Sequence, residues 1–202
     1  MIALVDYGAG NLASVRKGFD AAGAELFTPS APADVAAASG IVVPGVGHFG
    51  ATAALDDNWR AAIRVAVGAG TPLLGICLGM QWLFDGSEEA PDLAGLGLLR
   101  GNCARLRPGE AAVKIPHVGW NTLSMTGASP VVDGLEPDSF VYFTHSYAVP
   151  VTADAVATCT HGQTFAAIVA TGHVFGVQFH PEKSAAAGLR ILRNFVAMCD
   201  AR

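Results

Sequence analysis

Over the first part of the chain, short apolar runs alternate with longer stretches of mixed character. Residues 2–5, 25–28, 41–43 and 72–77 read as strands; helical patterns begin near Asn11 and run through residues 59–67. Strands separated by helix-length stretches need crossover connections, and these join strands that lie parallel. From Leu96 the texture changes. Strand-like segments at 98–106, 113–115, 139–149, 155–160 and 165–179 follow one another with close turns, as antiparallel strands at the edge of a parallel sheet do. The chain closes on residues 185–198, where Leu189, Leu192, Phe195 and Val196 recur at helical spacing. No repeat, low-complexity tract or flexible linker divides the chain. Residues 1–202 are therefore expected to form a single α/β domain with a mostly parallel central sheet, helices on both faces and antiparallel edge strands.

Composition narrows this picture. Hydrophobic residues make up 51% and charged residues 14%, with 24 glycines, which suits strands covered on both faces and excludes a disordered chain. The net charge of −5, with 12 Lys and Arg in no cluster, offers nothing to neutralise phosphates, so no nucleic acid partner is expected. The first apolar run contains Asp6 and has no basic leader, so it reads as a strand and not as a signal peptide. Residues 71–84, among the most apolar, are too short and too broken by Gly and Pro to span a bilayer, and no membrane association is expected. Cys77, Cys103, Cys159 and Cys199 lie 26, 56 and 40 positions apart, a spacing that matches neither paired zinc ligands nor a disulfide framework. A soluble protein of the reducing cytoplasm, without metal or cofactor, is the expectation.

One of these cysteines has a distinctive setting. The run from Pro72 to Ile76 leads directly into Cys77, Leu78, Gly79, Met80 and Gln81, followed by the apolar Trp82, Leu83 and Phe84, which read as a continuing helix. Gly75 and Gly79 flank Cys77 at two residues on either side, leaving room for the sharp turn of a strand-to-helix elbow. The helix start would turn its positive end toward the sulfur and favour thiolate. On these residues alone, a small buried structural cysteine remains an alternative reading. Cys103, Cys159 and Cys199 have no comparable setting and read as buried hydrophobes.

A thiolate that attacks an amide needs an acid for the departing amine, and histidine serves best near neutrality. Of six histidines, His180 stands at the end of an apolar strand, followed by Pro181 and Glu182. Pro181 biases His180 toward extended backbone, where residues two apart point the same way, so Glu182 can orient the His180 ring. An ordinary surface turn is the alternative. The tetrahedral oxyanion of such a reaction also needs fixed N–H donors. After the strand at 41–43, the turn Pro44, Gly45, Val46, Gly47 can supply them, with Val46 and Gly47 as the expected donors and the Leu78 N–H beside them.

Together these segments closely resemble the class I, triad-type glutamine amidotransferases. Four further segments, residues 6–12, 114–121, 142–147 and 178–184, resemble the glutaminase subunits of imidazole glycerol phosphate synthases. The resemblance covers nearly the whole chain and implies a flavodoxin-like class I amidotransferase fold. It also implies a Cys77–His180–Glu182 triad and a glutamine site at Gly47, Gln81, Ser146 and Tyr147. Gln81 lies one helical turn from Cys77, hence on the same face. The partner interface and ammonia passage would fall at Asn11, Val118, Trp120, Tyr142 and Lys183. The implied activity is release of ammonia from glutamine for a separate (β/α)8-barrel cyclase subunit of histidine biosynthesis, in a heterodimer. The pattern departs slightly at Val118 and Thr144, neither of which carries chemistry. Competing readings are an amidotransferase serving another pathway, a redox-sensing flavodoxin-like regulator, and a secreted γ-glutamyl hydrolase.

Overall fold

The computed structural model describes residues 1–110 and 112–201. The first half alternates strand and helix: β1 (Ile2–Leu4), α1 (Leu12–Ala22), β2 (Leu26–Phe27), β3 (Gly40–Val43), α2 (Asp57–Gly68), β4 (Leu73–Ile76) and α3 (Leu78–Trp82). The second half contributes β5 (Gly86–Ser87), β6 (Asn102–Arg105), β7 (His117–Thr122), β8 (Ser124–Met125), β9 (Phe140–His145), β10 (Tyr147–Ala148), β11 (Ala155–His161), β12 (Gln163–Thr171), β13 (Val174–Val177) and the closing α4 (Ala185–Asp200).

The helix ends follow local chemistry. Asn11 caps α1, its side chain accepting from the Ser14 N–H at 3.2 Å, and Gly23 ends that helix in the left-handed conformation at φ 90°. Asp56 accepts from the N–H groups of Asn58 and Trp59 at 3.0 and 3.1 Å, so α2 begins two residues before its apolar pattern does. The run after Cys77 yields only a five-residue helix, where a longer one was expected. Its last carbonyls are taken by a returning loop. Leu96 N–H donates to Trp82 O, Leu98 N–H to Leu83 O and Gly97 N–H to Phe84 O. Those acceptors could otherwise have continued the helix.

The main sheet has eight strands in the order β2-β1-β3-β4-β13-β12-β11-β8. β2, β1, β3, β4 and β13 run parallel, while β12, β11 and β8 complete an antiparallel edge. Alternation along the strands sends Ile2, Leu4, Val42 and Leu74 to one face, where they meet Val15 and Phe19 of α1 and Ile191, Leu192 and Phe195 of α4. Ala3, Val5, Ile41, Val43 and Leu73 face the other side, against Ile63 of α2 and Leu78, Met80 and Trp82 of the elbow region. Burial on both faces explains why these strands are uniformly apolar in sequence.

Three expectations for the second half need correction. Residues 165–179 are not one edge strand, because Gly172, at φ 54°, reverses the chain between β12 and β13. β13 then inserts beside β4, in the interior of the sheet. Residues 113–115 form no strand, and the strand starts instead at His117. Residues 139–149 do not join the main sheet. β9 pairs with β7 in a separate two-stranded ribbon, and β10 joins β6 and β5 in a small three-stranded sheet. Among the described residues, no helix is long and apolar enough to cross a membrane.

Candidate active site

The parallel pairing of β4 with β13 builds the site. Its register sets Ile76 opposite Val177, and the Cys77 N–H donates to the Val177 carbonyl at 2.8 Å. Cys77 then leaves the sheet at φ 54° and ψ −107°, a conformation that L side chains rarely adopt, and α3 starts at the next residue. The flanking glycines make this turn possible. A Cβ on Gly75 would stand 2.7 Å from both the Gly79 carbonyl oxygen and the Met80 nitrogen. One on Gly79 would stand 2.7 Å from the Val43 carbonyl carbon and overlap its oxygen. The helix start and the ends of β3 and β4 therefore touch backbone to backbone.

β13 delivers the remaining groups. Gln178, fully buried, lies just beyond it, and its Nε2 donates to the Cys77 sulfur at 3.6 Å. His180 has an extended backbone, and its N–H donates to the Tyr142 carbonyl at 3.0 Å. The expected contact with Glu182 forms, Nδ1 to Oε1 at 2.9 Å, with both side chains 2% exposed. The route differs from strand alternation: residues Pro181–Lys183 form a 3-10 turn that curls Glu182 back under the ring. Ser184 locks this turn, donating to the His180 carbonyl at 2.6 Å and accepting from the Tyr142 N–H at 2.9 Å.

Electrostatics bind the histidine to its neighbours. Burial lowers the His180 pKa, but the neighbouring Cys77 and Glu182 outweigh it and raise the pKa to about 9. His180 Nε2, the ring nitrogen not used by Glu182, has no other hydrogen-bond partner among the described residues. The other thiols are suppressed. Burial pushes Cys159 and Cys199 up to about 12 and Cys103 higher still.

A cleft of roughly 250 Å³ opens over the sulfur, lined by Gly47, Cys77, Leu78, Gln81, Ser146 and Tyr147 together with Glu89, Pro116, Thr144 and His145. It thus gathers all four residues expected to bind glutamine. His180 is not among the lining residues and sits behind Cys77. Gln81 Nε2 donates to the Tyr147 carbonyl at 2.8 Å and to Gln178 Oε1 at 3.1 Å. The expected oxyanion donors are less well placed. Gly47, at φ 96°, lines the cleft, but Val46 is 38% exposed and lies outside that lining. The Leu78 N–H is directed at the Gly45 carbonyl at 3.4 Å.

Four of the five positions expected at the partner interface cluster on or beside the ribbon. Val118 and Trp120 are 58% and 52% exposed, and Trp120 meets Tyr142 edge to face at 6.1 Å. Lys183 Nζ lies 5.9 Å from the centre of the Tyr142 ring. Asn11 spends its side chain capping α1, the helix that packs against the turn Pro181–Lys183.

Several residues at the site went unnoticed in the sequence. Gln178 could have been found as the one amide interrupting the apolar run 174–179. Glu89 brings a carboxylate to the cleft and accepts from the Phe49 N–H at 2.7 Å. Tyr7 is half-buried, its buried hydroxyl unpartnered among the described residues and set against Gly45, and burial and then the Cys77 charge hold its pKa well above the ordinary phenol range. Nothing in the local sequence pattern marks Tyr7, His117 or His145.

Comparison with known proteins places this geometry in a family. The model for class I glutamine amidotransferases matches residues 3–199. An imidazole glycerol phosphate synthase subunit HisH from Gloeobacter violaceus is 50% identical, over 100% of this chain and 91% of that protein. The HisH subunit from Natronomonas pharaonis is 46% identical, over 98% of this chain and 94% of its own. A crystal structure of a glutamine amidotransferase, 18% identical, shares the fold with a TM-score of 0.76 over 99% of this chain and all of its own. The chain therefore belongs to the class I glutamine amidotransferase family and, within it, to the HisH subunits of imidazole glycerol phosphate synthase.

Proposed function

We propose that this histidine-pathway glutaminase subunit hydrolyses glutamine by covalent catalysis at Cys77, with His180 as acid and base and Glu182 as its orienting partner. The observation that carries the reading is the buried His180–Glu182 pair, 2.9 Å apart, behind a cysteine whose cleft is also lined by Gly47, Gln81, Ser146 and Tyr147. In this mechanism the Cys77 thiolate attacks the side-chain amide carbon of glutamine, and the C–N bond breaks as the His180 imidazolium gives its proton to the departing ammonia. The neutral His180 then takes a proton from water, whose oxygen attacks the γ-glutamyl thioester. Glutamate leaves and the thiolate is restored. Glu182 keeps Nδ1 protonated throughout, so Nε2 remains the nitrogen that exchanges protons. No metal or cofactor takes part.

The developing oxyanion is held by N–H groups around Gly47 and Leu78. With the Leu78 N–H turned to the Gly45 carbonyl, the turn of residues 44–47 must rotate before both can serve, and Gly45 and Gly47 supply the backbone freedom. Equal glutamine turnover with a ligand-bound and a ligand-free partner would count against this gating.

As a HisH subunit the chain works with a second subunit, and we identify that partner as a (β/α)8-barrel cyclase that receives the ammonia. Val118, Trp120, Tyr142, Lys183 and Asn11 would face it, in a cytoplasmic heterodimer in which residues 1–202 act as one domain. The test is co-purification with the cyclase followed by glutamate release from wild type and Cys77→Ala. Turnover by wild type and none by the variant is expected. No glutamate above background from the wild-type complex would sink the reading.

A further inference from the structure

From the wall of the cleft inward runs a chain of hydrogen bonds that the mechanism above does not use. His145 Nδ1 meets the Tyr147 carbonyl at 2.9 Å, and His145 Nε2 meets His117 Nδ1 at 3.2 Å. His117 Nε2 in turn meets Asn121 Nδ2 at 3.4 Å, and that amide also donates to the Thr160 carbonyl at 3.0 Å.

The direction of every bond is forced. A carbonyl only accepts, so His145 carries its proton on Nδ1. Its bare Nε2 then accepts from His117 Nδ1–H, and the bare His117 Nε2 accepts from Asn121. The Asn121 amide orientation agrees, since its Oδ1 accepts from the Thr122 N–H at 2.8 Å. Both rings are neutral: burial, with help from neighbouring histidines, lowers His145 to about 3 and His117 to about 4. The His117 ring is further clamped, stacked on His161 at 3.9 Å and on Phe143 at 4.6 Å.

The far end of this chain is the reacting sulfur. The Tyr147 carbonyl accepts from His145 and also from Gln81 Nε2. Gln81 donates to Gln178 Oε1 as well, and Gln178 donates to Cys77. His145, Tyr147 and Gln81 themselves line the cleft.

We propose that His145, backed by His117, is a positioning residue for glutamine turnover, holding the Tyr147 carbonyl and, through it, Gln81 and Gln178 at the geometry that seats glutamine against Cys77. The proposal rests on the glutamine-hydrolysis reading. A polar pair serving only to fill the core would not need its last donor aimed at the one carbonyl that also holds Gln81.

Two near-isosteric variants of the chain, each in complex with its synthase partner, test the proposal. His145→Asn sets an amide donor where Nδ1 was, facing the Tyr147 carbonyl. His145→Gln extends its amide toward the Nε2 position and leaves that carbonyl without its donor. For His145→Gln the expected result is a glutamine KM raised about tenfold, as for loss of one buried hydrogen bond. Its kcat should stay within threefold, and alkylation of Cys77 by iodoacetamide, which needs no glutamine site, within twofold. His145→Asn should restore KM to within threefold of wild type. An unchanged KM in His145→Gln, equal impairment in both variants, or alkylation slowed in step with turnover would each overturn the proposal. Should His145→Gln fail to fold, His117→Phe leaves His145 in place without its donor; a KM raised threefold or more is expected there, and an unchanged one overturns the proposal. No glutamate from the wild-type complex would remove the functional reading and this proposal together. Normal wild-type turnover with unaffected variants removes this proposal alone.

Discussion

Adding one methyl group at Gly79 should disable the site without touching any reacting atom. The new Cβ would stand 2.7 Å from the Val43 carbonyl carbon, where ordinary contact begins near 3.4 Å, and would overlap the carbonyl oxygen itself. Neither atom belongs to a flexible side chain, so relief requires the start of α3 to move off the end of β3 by on the order of 1 Å. Overpacking of this kind costs about 1–3 kcal/mol, and contact with backbone on both sides puts Gly79→Ala at the upper end. Cys77 is two residues away on the same turn, so the displacement carries the sulfur with it, and a 1 Å misplacement lowers turnover by about 100-fold. Gly68→Ala is the matched control. Gly68 is the last residue of α2, and an added Cβ there meets nothing within 4 Å, so the substitution should raise stability by about 0.5–1 kcal/mol. Urea unfolding and glutaminase assays in the partner complex measure both effects. If Gly79→Ala unfolds at the wild-type midpoint and keeps activity within threefold, the account of the elbow is wrong.

Other consequences are equally direct. The folded state holds the His180 proton more tightly than the unfolded chain does, about 9 against the ordinary 6.5. Its stabilising contribution is therefore complete below pH 6.5 and fades as pH rises toward 9. Unfolding midpoints across that range should fall, and Cys77→Ala, which removes one of the two neighbours that raise the pKa, should flatten the fall. A wild-type midpoint that climbs through this window contradicts the assignment. At the proposed interface, Trp120→Ala should weaken association with the partner subunit by about 2 kcal/mol or more while leaving the thermal midpoint near wild type, as a titration by calorimetry would show. Asp56→Ala removes the cap of α2 and should cost about 1 kcal/mol of stability with unchanged glutamine turnover; lost turnover would mean α2 influences the site in a way this structure does not explain.

The parallel half of the fold was legible because its strands are buried on both faces and its helices carry a regular apolar stripe. The ribbon was not. Strand alternation in residues 117–122 and 140–145 reads the same whether a strand joins the main sheet or leaves it, and only the pairing partner distinguishes the two. β13 was hidden for a related reason, since its apolar run merges with that of β12 across Gly172. At the site, the meeting of His180 with Glu182 could be read because the two lie within one short segment. The link from Gln178 to Cys77 spans 101 positions, and that from His117 to His145 spans 28, so neither appears in any local periodicity. The engaged Leu78 N–H was equally out of reach, because it depends on which way one peptide faces.

The backbone of Cys77 sets catalysis against durability. A side chain held at φ 54° carries strain of about 1–3 kcal/mol, which glycine alone would escape. Even after the greater freedom of an unfolded glycine offsets part of that gain, Cys77→Gly should be at least as heat-resistant as the parent, though inert toward glutamine. Selection for thermal endurance alone would thus drift toward glycine at position 77 and erase the proposed nucleophile. A cysteine at this position is thus kept at the expense of heat resistance, in the service of the chemistry proposed for it.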